Sequence, residues 1–262
     1  MSDCKNVWGT TEKAREYERE SVPGRLALWP GKLLPFAKLC SSDRVLDVGC
    51  GTGVLTIAAH LVSETVIGLD INESMLAVAA SKEPLIDWRI GDACDLPFDD
   101  ESFDVVVSQF ALMFVDDAAQ ALSEIWRVLA PGGRLVVAVW ATGKDNPVHE
   151  TLANLVREHY GDEAAARYST PYAMGDATAL QELAQSAGIT RPKIRLLRSM
   201  VTSASLTQLV EGNVKKWVSD DPADDEKLAA MHSQARELLS DYEQASGEMK
   251  YPMKAMVVIA TR

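Results

Sequence analysis

The chain has 262 residues, of which 47% are hydrophobic and 24% charged. That composition supports a globular core without disulfides or metal and excludes a disordered or fibrous chain. The net charge of −12 repels phosphate backbones and anionic lipid, so neither nucleic acid nor membrane is expected as the main partner.

In chain order, TEKAREYERES (11–21) reads as a polar helix that stops at Pro23-Gly24. The apolar stretch LALWPGKLLPFAKLC (26–40) reads as helical, with breaks at Pro30-Gly31 and Pro35. From Arg44 the pattern changes to alternating strands and helices. RVLDVG is a β-branched run closed by glycine, TGVLTIAAHLV a helix, TVIGLD a second strand, and NESMLAVAASK a helix capped by Asn72. LIDWRIGD and FDVVVSQF are the third and fourth strands, the latter apolar enough to be buried on both faces. DDAAQALSEIWRVLA is an amphipathic helix closed by Pro131-Gly132-Gly133, and RLVVAVW is the fifth strand. This alternation predicts a mostly parallel sheet with right-handed crossovers, an α/β fold.

The last third is less regular. DATALQELAQSAGI is a helix ended by Gly188, KIRLLRSMV a strand, and 205–245 a helical stretch interrupted by the acidic SDDPADDE. YPMKAMVVIATR supplies a closing strand over 251–261. One domain over 1–262 is expected: an N-terminal helical segment (1–40), a binding core (41–141), and a C-terminal part (142–262) in which 205–245 forms a lid. Cys4, Cys40, Cys50 and Cys94 make no CxxC pair and no zinc spacing. Free thiols, no apolar leader at the N-terminus and no apolar run of spanning length lead to a cytoplasmic expectation. Two groups of basic residues, Lys215-Lys216 and Arg191, Lys193, Arg195 and Arg198, read as solvated faces.

The chemistry concentrates at Asp47-Val48-Gly49-Cys50-Gly51-Thr52-Gly53, between the first strand and its helix. Glycines here let the backbone turn tightly and approach a ligand, with a helix N-terminus behind them. Ligands of open α/β sheets sit at the carboxyl ends of the strands. A dinucleotide fingerprint would need a third glycine where Val54 stands. Asp47 would also be a poor neighbour for a pyrophosphate and a good one for a cation. Asp70, at the end of the second strand, can accept both hydroxyls of a ribose. In Gly91-Asp92-Ala93, Asp92 can accept from the exocyclic amine of an adenine.

Together, VLDVGCGTG, VIGLD, GDACDLPFDDESFDVVVSQFAL and EIWRVLAPGGRLVVAVW resemble the class I S-adenosylmethionine-dependent methyltransferases over roughly 40–141. AREYERESVPGRLALW, DNPVHETL, PYAMGD and YPMKAMVVIATR extend the resemblance to bacterial ubiquinone/menaquinone-biosynthesis-like methyltransferases. The resemblance implies a Rossmann-like, doubly wound, seven-stranded sheet with an antiparallel last strand, N-terminal helices and a late helical cap. It implies S-adenosyl-L-methionine as cofactor and S-adenosyl-L-homocysteine as product. It also implies that Asp47, Gly49, Gly51 and Gly53 line the methionine end, and that Asp70 holds ribose with Ile71 against adenine. Asp92 and Ala93 would then hold adenine, Gln109 would face the sulfonium, and Tyr17 would close over the methionine moiety.

The acceptor is expected to be a small molecule, partly apolar, in a pocket drawing on Phe110, Met113, Phe114, Trp140 and Tyr172, with Trp29 and Trp217 as further aromatic candidates. A general base is required only if the acceptor must lose a proton. His149, in a loop after the fifth strand, is the candidate. A monomer or homodimer is expected. The alternatives are a cofactor-binding regulatory protein on the same fold and an NAD-linked oxidoreductase.

Overall fold

The computed structural model describes residues 9–218 and 224–262. Cys4, the Lys216 side chain and the part of the acidic stretch at 219–223 lie outside the described residues.

α1 (Thr11–Glu20) begins at Thr10, whose side chain accepts from the Lys13 N–H. A single π-turn over Val22–Leu26 absorbs Pro23 and Gly24. α2 (Pro30–Ala37) departs from the expectation at its prolines: Pro30 opens the helix and Pro35 lies within it. A proline at the first helical position gives up an N–H that would have no partner anyway.

β1 (Arg44–Val48), α3 (Val54–His60), β2 (Thr65–Asp70), α4 (Glu73–Lys82) and β3 (Asp87–Ile90) follow as alternating elements. The Asn72 side chain caps α4, accepting from the Ser74 and Met75 N–H groups. β4 (Phe103–Gln109), α5 (Ala118–Val128) and β5 (Leu129–Trp140) complete the parallel part of the sheet. Pro131-Gly132-Gly133, expected to end the helix, lies inside β5, where the register against β4 shifts. α5 therefore passes directly into a bulged strand.

The sheet order is β3-β2-β1-β4-β5-β7-β6, with β7 (Met249–Thr261) antiparallel to both β5 and β6 (Lys193–Ser203). This is the doubly wound, seven-stranded architecture expected. Its two halves diverge between β1 and β4, the strand order that places ligands at the adjoining carboxyl ends. Val45, Leu46, Val105 and Val106 are wholly buried there. At roughly 1.5–3 kcal/mol for each such side chain, these strands hold the site on a rigid base.

The largest departure lies after β5. Residues 147–160, expected as loop in part, form α6 (Pro147–Tyr160), followed by α7 (Asp162–Ser169) and α8 (Ala177–Ser186). Val148, Leu152, Leu155 and Val156 share the buried face of α6, a spacing of four, three and one that fits a helical stripe.

β5 ends where Trp140 pairs with Ala255, but β6 and β7 remain paired as far as Ser203 and Met249. Two strands thus project beyond the carboxyl edge of the sheet. They carry α9 (Leu206–Trp217) and α10 (Asp225–Leu238) over that edge, against α7 and α6 respectively. No helix among the described residues is long and apolar enough to cross a membrane.

Candidate functional site

A cavity of about 220 Å³ opens at the carboxyl ends of β1, β2, β4 and β5. Its floor is the turn between β1 and α3. Gly49 has φ +70°, and a Cβ there would lie 2.3 Å from the Ala111 Cβ, so the turns after β1 and β4 meet only because this residue is glycine. Gly51 has φ +54°, and a Cβ there would meet nothing within 4 Å. Its bare backbone therefore faces the cavity. Gly53 does not line the cavity; a Cβ there would strike Trp88.

Asp70 holds this turn in place. One carboxylate oxygen accepts the Gly51 N–H at 2.8 Å and the other the Asn72 N–H at 2.9 Å. Asp47 is 1% exposed; one of its oxygens accepts from the Thr56 hydroxyl at 2.6 Å and the other has no partner. Burial, opposed by Thr56 and reinforced by the charge of Asp70, pushes the Asp47 carboxyl up to about 7. Burial likewise raises Asp70, against the backbone N–H groups that it accepts. Two carboxylates, both above their ordinary range, thus face one cavity. A cationic ligand would favour the ionised form of both.

Ile71, half exposed, and Ala93 line the far side. Asp92 also lines it, and its carboxylate accepts the Cys94 N–H at 2.9 Å. Gln109 ends β4; its amide donates to the Leu26 carbonyl at 3.2 Å, tying the π-turn to the sheet, while its own carbonyl is buried without a partner. Tyr17 reaches the cavity from α1.

The opposite wall is aromatic. Phe110 and Trp140 stack with centroids 3.5 Å apart, and Phe114 stacks on Trp217 at 5.7 Å. Phe110 has φ +58°. A bulky residue in that region costs about 1–3 kcal/mol and persists where packing over-determines it. Here the cost directs a ring from the end of β4 into the cavity. Tyr172 joins this wall. Trp29 is fully buried beneath it, edge-on to both Phe110 and Trp140, and Met113 is buried off the cavity.

His149 is not in a loop. It lies in the first turn of α6, 1% exposed and off the cavity. Its Nδ1 shares a 3.0 Å hydrogen bond with the Tyr168 hydroxyl, and its Nε2 is buried without a partner. Burial, with a contribution from Arg25, lowers it to about 3, so the ring is neutral. Between it and the cavity stand Tyr168, its hydrogen-bond partner, and Tyr172, whose ring centroid lies 5.0 Å away; both line the cavity.

The sequence reading missed Arg25, Tyr168, Asn213 and Cys50, all of which line the cavity. Arg25 sat next to Gly24, inside what read as a helix break. Its exposure to a site 22 residues further along the chain depends on the π-turn, which no local pattern announced.

Fold and glycine turn define a class I methyltransferase, and comparison with known proteins agrees. Residues 46–137 match the family model described as "Methyltransferase domain". The protein of Mycolicibacterium smegmatis named "Probable S-adenosylmethionine-dependent methyltransferase" is 30% identical over 209 residues, 74% of this chain and 72% of that one. The demethylmenaquinone methyltransferase of Lactobacillus johnsonii is 45% identical over 116 residues, 41% of this chain and 48% of that one. The chain thus spans about half the length of the demethylmenaquinone methyltransferases it matches. Among solved structures, phosphoethanolamine N-methyltransferase 2 of Haemonchus contortus, in complex with S-adenosyl-L-methionine, aligns with a TM-score of 0.61 at 18% identity, covering 100% of this chain and 61% of that one. The chain belongs to the S-adenosylmethionine-dependent methyltransferases.

Proposed function

We propose that this protein transfers the methyl group of S-adenosyl-L-methionine to a small-molecule acceptor with an apolar, aromatic portion. The observation that carries the reading is the pair Asp47 and Asp70. One is a buried carboxylate with an unpartnered oxygen, the other is bound to the bare backbone of Gly51, and both face one cavity. A ligand that combines cationic groups with a ribose suits that pair; a pyrophosphate does not.

Asp47, Gly49 and Gly51 would hold the methionine end, Asp70 the ribose, and Ile71, Asp92 and Ala93 the adenine. Gln109 and Tyr17 would bound the region of the sulfur. When bound, the cofactor supplies a methyl on a positive sulfur, which keeps the bonding pair as the acceptor's lone pair takes the methyl. The protein's part is to align the acceptor, exclude water and lose nothing to reorganisation. Phe110, Phe114, Trp140 and Tyr172 serve alignment by burying an apolar acceptor, and α9 and the N-terminal segment serve as a lid. The acidic chain favours a small molecule over nucleic acid; the free thiols of Cys40, Cys50 and Cys94 favour a reducing compartment, the cytoplasm, for a monomeric or homodimeric enzyme.

Calorimetry tests the cofactor: S-adenosylmethionine and S-adenosylhomocysteine should bind in the micromolar range, and NAD should not. Release of S-adenosylhomocysteine with a panel of small aromatic acceptors tests transfer. Binding without turnover on any panel would support the regulatory alternative.

A further inference from the structure

A cluster of polar rings stands beside the aromatic wall. His149 comes from α6, Tyr168 from α7, Tyr172 from the short turn after α7, and Tyr251 from β7. The His149 ring centroid lies 5.0 Å from that of Tyr172 and 5.8 Å from that of Tyr251. Tyr168 and Tyr172 line the cavity. The charge of Arg25, which also lines it, acts on all four rings. Their polar ends therefore gather on one side of the cavity.

Tyr168 is 1% exposed, and among the described residues its hydroxyl has one hydrogen-bond partner, His149 Nδ1 at 3.0 Å. Burial keeps the His149 ring neutral, so one ring nitrogen carries a proton and the other a lone pair. Nε2 is buried without a partner. A proton there would strand a buried N–H, the rarer and costlier arrangement. With the proton on Nδ1, the imidazole donates to the Tyr168 oxygen and leaves the Tyr168 O–H for the cavity. The pair is then a single donor, held in one direction by a buried ring.

Resting on the methyl-transfer reading, we propose that the acceptor carries an oxygen on its aromatic portion, a ring hydroxyl or carbonyl, which accepts the Tyr168 O–H while the ring lies against Phe110 and Trp140. Tyr168 binds the acceptor, and His149 is a positioning residue that aims the hydroxyl. An analogue without the oxygen leaves a buried donor unpaired, which is how a site built around one hydrogen bond rejects it. The contact also fixes which way round the ring enters, and so which of its atoms meets the methyl.

The test is binding to the protein saturated with S-adenosylhomocysteine, using two pairs of equal shape: 1-naphthol against 1-methylnaphthalene, and 1-acetylnaphthalene, whose oxygen can only accept, against 1-isopropylnaphthalene. In the wild-type protein the oxygenated member of each pair should bind roughly tenfold more tightly. Tyr168→Phe should erase both preferences. His149→Leu should erase most of each, and His149→Asn, whose amide can still donate to the phenol, should restore them. These variants should change the affinity for S-adenosylhomocysteine less than about threefold, because only the acceptor loses a partner. Equal binding within the pairs in the wild-type protein, no binding by either oxygenated compound, or a preference for naphthol alone, which would make Tyr168 the receiving partner, would each overturn the assignment whatever the variants' stability. So would full preference in folded Tyr168→Phe, while full preference in folded His149→Leu would remove the positioning role. A loss of about tenfold in S-adenosylhomocysteine affinity in folded Tyr168→Phe would place the hydroxyl on the cofactor instead. Failure of S-adenosylhomocysteine to bind the wild-type protein would remove the underlying reading and the inference with it.

Discussion

The two sides of the cavity are built differently. The side that carries Asp47, Gly51, Asp70 and Asp92 comes from the ends of the adjacent strands β1, β2 and β3, with backbone and short acidic side chains in its lining. The side that carries Phe110, Trp140, Tyr172 and Trp217 draws on the ends of β4 and β5, a short turn after α7, and α9. The first has a geometry that any chain with this motif can reproduce. The second depends on long-range packing, and it is where a shared fold can change its acceptor.

Substitutions should separate the two sides. The largest expected effect is that of Asp70→Ala: loss of charge-assisted hydrogen bonds should cost about 1.5–3 kcal/mol of cofactor affinity, roughly ten- to a hundredfold, with the fold intact. Unchanged affinity by calorimetry would remove Asp70 from the ribose.

Next in size is the pH dependence of Asp47. Its carboxyl stands at about 7 in the folded chain, above its unfolded value. In the ligand-free protein its contribution to stability is therefore full at low pH and declines as pH rises through 7. Cation binding has the opposite sign, because it needs the carboxylate. The affinity for S-adenosylmethionine should rise about tenfold between pH 6 and 8. Asp47→Asn should flatten that rise, and a profile that stays steep in the variant would assign the dependence to another group.

Trp217→Ala should weaken acceptor binding by about 0.5–1.5 kcal/mol, the worth of an aromatic pair, with cofactor affinity unchanged. Equal losses for both ligands would mean that α9 serves the whole site rather than the acceptor side. The smallest effect concerns order. Amide exchange in α1 and α9 should be faster than in β1 and β4, and cofactor with acceptor should slow it. Protection equal to that of the sheet, with no ligand effect, would contradict a gating role for these helices.

The strand–turn–helix series from Arg44 to Trp140 was legible because each element carries its own signal. β-branched runs mark strands buried on both faces, and glycines mark turns that no other residue can make. Asp70 and Asn72 could be placed to the residue for the same reason: the end of a strand and the cap of a helix are local events. α6 carries a readable stripe, with Pro147 at its first position, and that stripe places His149 in a helix rather than in the loop expected after the fifth strand.

Other features could not have been read from the sequence. Pro35 lies within a helix because packing against the sheet outweighs a propensity. Gly49 is required by Ala111, 62 residues away. Trp29 became core and Trp217 cavity wall, although both are tryptophans in stretches that read as helical. Local sequence determined the backbone cradle, because hydrogen bonds and turn geometry act between near neighbours. The aromatic wall and Arg25 were decided by tertiary structure alone, because which face of a helix or turn meets a cavity depends on partners that the chain brings together only when folded.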